Sequence, residues 1–381
     1  MKRILHICLS AFFIDGYSYQ ENLLPKYHAK MGFDVTVIAS LFTFDKEGKG
    51  TFLSSSQRYK DDNGFNVIRL SYKKPAFWNK VFRHYEGLKK CINEIAPDII
   101  FLHNASFGDT PIILEYMKKH PKVKLYADSH VDYINSARNW LSYHVLHSIV
   151  WKHYIKILEP YYTKCYGVTP MRCRFLKDVY HITPRLIEYL PLGVDDDAIP
   201  DDRIKLRRDV RRKLNLSDDD IIIITGGKID KLKNTHVLIK ALSYLENIKV
   251  HLVICGVLTP EMNYIKSEID NNSNIHYLGW CNSEEVMNYM MASDVACFPG
   301  THSTLWEQSV GIGLPSIFKR WNEMEHVNVN NNCIFVKGDD EIELSMAIKN
   351  ILDNYTNYKS SAIIASEKFL YSNISKKAIG L

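Results

Sequence analysis

The chain has 381 residues, 46% of them apolar and 24% charged, the balance of a soluble globular protein of roughly two domains. That balance excludes dominant disorder and a collagen-like chain, and eight scattered cysteines with no C-x-x-C pair exclude a disulfide framework and a zinc site. The net charge of +5 is uneven: residues 1–190 hold 27 Lys and Arg against 17 Asp and Glu, a balance of +10, leaving −5 for the rest.

Met1-Lys2-Arg3 followed by Ile4 to Ile14 has the look of a signal peptide, but His6 interrupts the apolar run and no small-residue cleavage site follows. It reads as a first strand, and the cysteines as reduced thiols of a cytoplasmic protein. No apolar run approaches the roughly 18 residues that a membrane span needs.

Short β-branched runs then alternate with helical patterns, the signature of parallel α/β units. Predicted strands of the first half are Arg3–Leu9, Asp34–Ala39, Asn66–Leu70, Asp98–Leu102, Lys122–Ala127 and Cys165–Val168. Those of the second half are Ile221–Thr225, Lys249–Ile254, Asn274–Leu278, Val295–Phe298, Ser316–Phe318 and Cys333–Val336. Predicted helices are Tyr19–Lys30, Asn79–Ile95, Leu141–Tyr161, His236–Leu245, Ser283–Met291 and Glu341–Asn354. Each half is expected to form its own doubly wound sheet. The expected division is a first domain over 1–190, a polar linker with one charged helix over 191–217, a second domain over 218–365 and a returning C-terminal helix over 366–381. The triplets Asp195–Asp197 and Asp218–Asp220 contain the D-x-D pattern of metal-dependent transferases but read as linker and turn, so no metal is assigned.

In open α/β sheets, ligands bind beyond the carboxyl ends of the strands. Three such loops carry suitable chemistry. The first holds Gly16, where a glycine between strand and helix lets backbone amides approach a ligand. The second is Thr225-Gly226-Gly227-Lys228 with Lys231 and Lys233, where cations and amides can meet a phosphate together, although it matches neither a P-loop nor G-x-G-x-x-G. The third runs from Pro299-Gly300 through Thr301, His302, Ser303 and Thr304 to Glu307, a carboxylate placed either for the helix dipole or for the hydroxyls of a ribose.

In this order and at these separations the segments resemble the retaining glycosyltransferases of family 4, which have the GT-B fold: two Rossmann-like doubly wound α/β domains facing a cleft. The resemblance spans nearly the whole chain. It implies that Lys228 and Lys233 hold the donor diphosphate, with Gly226 and Gly227 beside them. Glu307 before Gly313-Leu314-Pro315 is similar to the second glutamate of the E-x7-E motif, which binds the nucleotide ribose, and Thr301–Thr304 would face the donor sugar and phosphates. Leu278-Gly279-Trp280 resembles the segment lining the base pocket, Pro191-Leu192-Gly193-Val194-Asp195 the family's hinge, and Gly16 its glycine loop. His130, in Asp128-Ser129-His130, looks like the active-site histidine; His103 and Asp132 are weaker candidates on the acceptor side. Two departures stand out. Pro299 occupies the place of the first glutamate, and the loop after it is shortened, with an extra residue between Glu307 and Gly313.

The implied reaction is metal-independent sugar transfer from a nucleotide-diphosphate donor, UDP-linked in preference to GDP-linked, with no further cofactor. Fixed lysines would stabilise charge on the leaving diphosphate. The acceptor would be a glycan or a polyprenyl-diphosphate-linked glycan, as in bacterial surface-polysaccharide assembly. The basic aromatic stretches Tyr72–Arg83 and Trp140–Tyr162 are either buried helix faces or contacts with an anionic membrane, peripheral at its inner face. No nucleic-acid motif is present. The alternatives are a nucleotide-sugar 2-epimerase on the same scaffold, or a binding protein that has lost catalysis.

Overall fold

Interior strands of a parallel sheet are covered on both faces, so they read as unbroken apolar runs. Such runs form the spine of the protein in a computed structural model that describes residues 1–45, 49–245 and 248–381. The chain divides into two units, Met1–Pro191 together with Ser375–Leu381, and Leu192–Ile374.

The first unit holds β1 (Arg3–Cys8), β2 (Asp34–Ser40), the hairpin strands β3 (Phe42–Phe44) and β4 (Gly50–Phe52), β5 (Gln57–Lys60), β6 (Asn66–Leu70), β7 (Ile99–His103), β8 (Lys124–Ser129), β9 (Tyr162–Gly167) and β10 (Ile187–Tyr189). Eight of them form one sheet in the order β10-β9-β8-β7-β1-β2-β6-β5, parallel except for β5, which runs antiparallel to β6. The crossover reverses between β1 and β7, so the loops after these two strands flank the switch point. From Ile4 to Cys8 every residue of β1 is buried, including His6.

The second unit holds β11 (Ile221–Gly226), β12 (Val250–Cys255), β13 (Ile275–Gly279), β14 (Val295–Phe298), β15 (Ser316–Lys319) and β16 (Cys333–Val336). Their order, β13-β12-β11-β14-β15-β16, is wholly parallel and is that of a dinucleotide-binding sheet. Its switch point lies between β11 and β14, whose carboxyl ends lead into Gly226-Gly227-Lys228 and Pro299–Thr304.

Each predicted strand has its counterpart, and several elements differ. The helix expected over Asn79–Ile95 is two, Ala76–Phe82 and Leu88–Ile95, because Arg83 and Gly87 both take left-handed conformations (φ 58° and 77°) and Tyr85 bridges to Tyr72 instead. The helix expected over Leu141–Tyr161 starts as π-helical turns over Ser142–Trp151, continues as Lys152–Lys156 and ends in a 3-10 turn at Glu159–Tyr161.

The expected linker also has a tertiary place. From Leu192 onward the chain belongs to the second unit, and its charged helix Arg203–Lys213 is tied down by Asp294. That carboxylate accepts from Arg207 at 2.6 Å, from Arg211 at 2.9 Å and from the Ile222 amide at 2.8 Å. Arg211, buried, also donates to the Ser217 and Asp220 carbonyls, so the charge is matched inside the fold. At the other end, Tyr126 and Tyr166 hydroxyls donate to the carbonyls of Ile379 and Lys377, holding Ser375–Leu381 on the first unit.

Helix Glu341–Asp353 shows how local chemistry sets a boundary. Asp340 accepts from the Ile342 and Glu343 amides, satisfying two otherwise orphaned donors. Asp340→Ala is expected to destabilise the second unit by about 1 kcal/mol, read as a lower midpoint in urea unfolding with an unchanged slope.

Candidate active site

The two loops at the second unit's switch point are stitched together by Lys233. Its ammonium donates to the Thr301 carbonyl at 2.7 Å, and the Thr301 amide donates back to the Leu232 carbonyl at 3.0 Å. Asn234 donates to the carbonyls of Pro299 and Gly338, at 3.1 and 2.7 Å. The loops approach so closely that a Cβ on Gly300 would sit 2.3 Å from Lys233 Cα, which explains why this position carries no side chain. Burial lowers the Lys233 ammonium from its ordinary range to about 8, so it remains a cation at neutral pH, with a neutral carbonyl as its hydrogen-bond partner.

Glu307 lies in the short helix Leu305–Gly311 and is fully buried. One oxygen, Oε1, accepts from His302 Nε2 at 2.8 Å and from His326 Nε2 at 2.7 Å. Burial alone would raise this carboxyl, but the His302 and His326 rings outweigh it and hold it well below the usual carboxylate range. The second oxygen, Oε2, is buried with no hydrogen-bond partner, as are Ser303 Oγ and Trp306 Nε1 close by in sequence. Three unmatched polar groups within five residues mark a place where a guest hydroxyl or water belongs. The donor atoms of His302, Glu307 and His326 also lie within 4.8 Å of one another, the kind of set that can ligate a metal. A metal there would displace both hydrogens now shared on Oε1.

Residues 207–366 match the family model described as "Glycosyl transferases group 1". The matched stretch lies within the second unit and spans less than half of the chain. A comparison with curated protein sequences finds no match. Among solved structures, the chain resembles a sucrose-phosphate synthase from Thermosynechococcus elongatus at 16% identity and a TM-score of 0.68, covering 99% of this chain and 97% of the other. It also resembles HepE of Anabaena, solved with UDP and glucose, at 13% identity and 0.66, with 99% and 98% covered. A third likeness is WaaG, a glycosyltransferase of lipopolysaccharide biosynthesis, at 16% and 0.64, with 98% of both chains covered. The fold is therefore GT-B: two α/β domains built on parallel sheets.

Within the second unit, the structure brings some expected site residues together and leaves others apart. Gly226 ends β11 and Gly227 follows it; a Cβ on Gly227 would lie 3.9 Å from Lys233 Cε, so the lysine stem passes over it. Lys228 is exposed one residue further on, while Trp280 is 53% exposed beyond β13, two strands away from β11. His302 is a correction. Expected to face donor sugar and phosphates with Thr301, Ser303 and Thr304, it points at Glu307 instead, and Thr301 offers its carbonyl to Lys233. His326 was not anticipated, because it lies 19 residues from Glu307 on a loop with no distinctive spacing. Nothing in the sequence pattern pointed to this partner; only the burial of Glu307 in the fold requires one.

In the first unit, Gly16 has φ +77° and open space where a Cβ would stand, in the loop after β1. Beside it Asp15 accepts from Arg69 at 2.9 Å and Tyr59 at 2.7 Å, which fixes that loop. His130 follows β8 and is part-exposed; its Nε2 lies 3.6 Å from Asp128 Oδ1 and 3.9 Å from Glu21 Oε1. Burial lowers its ring, but Asp128 and Glu21 prevail and raise it above the ordinary histidine range.

Asp132 and His103 are corrections to the expected acceptor side. Both oxygens of Asp132 are engaged within this unit, Oδ1 by the Ile134 and Asn135 amides and Oδ2 by Arg172 at 3.0 Å, so it acts as a loop brace. His103 is fully buried at the end of β7. It opens a line of side chains: His103 Nδ1 lies 3.1 Å from Asp128 Oδ2, His103 Nε2 2.9 Å from His6 Nδ1, His6 Nε2 3.0 Å from His28 Nδ1, and His28 Nε2 2.9 Å from the Ser375 carbonyl. Because a carbonyl only accepts, His28 donates through Nε2 and, when neutral, accepts through Nδ1; the same order repeats at His6. His103 in turn donates through Nε2 to His6, which leaves its Nδ1 facing the Asp128 carboxylate without a hydrogen bond.

Proposed function

We propose that the protein transfers a sugar from a nucleotide-diphosphate donor, UDP-linked in preference to GDP-linked, to a glycan or polyprenyl-diphosphate-linked glycan with retention of configuration. The observation that carries this reading is the Lys233 ammonium, half-buried between two glycine-bearing loops at the switch point of the sheet whose unit carries the match to group 1 glycosyltransferases. A cation there would take up charge developing on a leaving diphosphate, with no resident metal or cofactor in the proposal. HepE, similar in fold, was solved with UDP, which supports a uridine nucleotide as the first ligand to try.

His130, raised by Asp128, is the proposed proton-handling group on the first unit. The acceptor side is supported less directly. Phe77 and Trp78 are exposed between the exposed Lys74 and Lys80, and Trp140 is exposed elsewhere in the chain, a combination suited to the headgroups of an anionic membrane, where the protein would sit peripherally at the cytoplasmic face. No described helix is long and apolar enough to cross a membrane. Pro299 in place of a glutamate favours one second reading, a nucleotide-binding protein without transfer activity.

A thermal-shift titration with UDP, GDP, CDP and NAD tests the donor assignment. One nucleoside diphosphate at ~100 times its Kd is expected to add roughly 2.7 kcal/mol of stability. Lys228→Ala, an exposed position whose loss leaves packing intact, is expected to diminish that gain. Stabilisation by none of the four, or by NAD alone, sinks the reading. Stabilisation by UDP without release of UDP from any UDP-sugar selects the binding protein.

A further inference from the structure

An ionised carboxylate has two equivalent oxygens and turns freely unless something distinguishes them. At Glu307 something does. Both imidazoles converge on Oε1, at 2.8 and 2.7 Å, from opposite sides in sequence: His302 from the loop after β14 and His326 from the loop after β15. Since a carboxylate only accepts, each ring must carry its hydrogen on Nε2. Turning the carboxylate would break two charge-assisted hydrogen bonds at once. Oε2 is left buried without a partner, and Ser303, four residues earlier, has its own unmatched Oγ.

The rings are themselves held. His302 packs edge-on to Trp306 at 5.2 Å between centroids, and Trp306 stacks on Phe318 of β15 at 4.6 Å, interplanar angle 23°. His326 is almost wholly enclosed, its side chain 1% exposed. His302 is thus braced through Trp306 against β15.

We propose that His302 and His326 are positioning residues: together they occupy Oε1 of Glu307 and so reserve Oε2 for the hydroxyls of the donor ribose. The inference rests on the nucleotide-sugar reading and extends it. It assigns a function to His326, which nothing in the sequence motif predicted, and replaces the expected sugar-contacting role of His302. It also accounts for the unmatched Oε2, which a ligand hydroxyl would satisfy by donating to it.

The test compares UDP and GDP with their 2′,3′-dideoxy forms by calorimetry, on wild type and on His302→Phe, His326→Phe, His302→Gln and His326→Gln. Glutamine keeps an N–H donor near the place of Nε2, and phenylalanine keeps only the bulk. Wild type is expected to bind the hydroxylated nucleotide roughly 10–100-fold more tightly than the dideoxy form. Each Phe variant is expected to lose most of that ratio while its affinity for the dideoxy form stays as in wild type, and each Gln variant to recover it.

Equal binding of both forms by wild type overturns the proposal and leaves the nucleotide reading standing. A Phe variant that weakens both forms alike overturns it too, since that is the mark of a general packing role. Absence of any UDP or GDP binding by folded wild type removes the nucleotide reading and the inference with it. The wild-type comparison needs no variant to fold.

Discussion

Lys233→Ala is expected to slow release of UDP from a UDP-sugar roughly 10²–10³-fold, the cost of removing one preorganised donor from a developing anion. The ammonium is already in place without ligand, held by the Thr301 carbonyl at 2.7 Å, so no reorganisation is needed to present it. Its desolvation has lowered it to about 8, the condition in which a neighbouring diphosphate is worth most to it. The sign of the pH effect follows. The cationic form exists below about 8 in the free protein, so kcat/KM is expected to fall as pH rises through that value. A bound diphosphate favours the charged form, so kcat should hold to higher pH than kcat/KM. Measuring UDP release over a panel of UDP-sugars, with and without the substitution, checks both statements. An unchanged rate in Lys233→Ala would move the cation role to Lys228, and a flat kcat/KM profile would detach the chemistry from Lys233.

Much of the architecture was legible because parallel strands covered on both faces leave no room for polar alternation. Ile221–Thr225 and Val295–Phe298 could be placed from composition alone, and with them the two loops of the switch point. Elements with weaker signals were not seen. β5, Gln57–Lys60, is an exposed antiparallel edge whose residues are mostly polar, and the hairpin of β3 and β4 is half exposed, so neither has an apolar period to read. The helix break at Arg83 was invisible because nothing about an arginine announces a left-handed conformation.

The site divides along the same line. Gly226, Gly227 and Lys233 sit next to the strand that positions them, so their chain order already implied their proximity. Glu307 was legible as a residue and misread as an environment. Its partners come from 5 residues before it and 19 after it, and only the folding of β15 beside β14 brings the second of them near. His6, His28 and His103 were scattered in the sequence for the same reason: β1 and β7 are neighbours in the sheet but 97 residues separate the two histidines they carry.

That buried line gives the second large effect: between pH 6.5 and 5 the protein is expected to lose roughly 2 kcal/mol of stability for each histidine held neutral by burial. Within the line, His28 is lowered to about 4 by desolvation and His6 well below its ordinary value by desolvation and by its two neighbours; outside it, His147, paired with the Tyr180 hydroxyl at 2.8 Å, is lowered to about 4 by desolvation and then by Arg83. All three side chains are buried, so solvent screening does little to reduce the effect. In the unfolded chain these rings take up a proton near 6.5, whereas the folded protein resists until about pH 4. The unfolded state thus binds more protons across this window, and stability falls as pH falls.

His130 has the opposite sign, but its raised value makes its contribution complete below 6.5, so it is constant over the same range. The carboxyl of Asp128 would be raised by burial, yet His103 and His130 hold it below the usual range, and its contribution is lost only at more acid pH. Urea unfolding from pH 7.5 to 5 measures the slope. His28→Gln, which can still donate to the Ser375 carbonyl and accept from His6, is expected to flatten it by about 1.4 kcal/mol per pH unit, the value for one proton. A slope unchanged by that substitution would mean that His28 is protonated in the folded state. It would then donate through both ring nitrogens, to the Ser375 carbonyl and to His6.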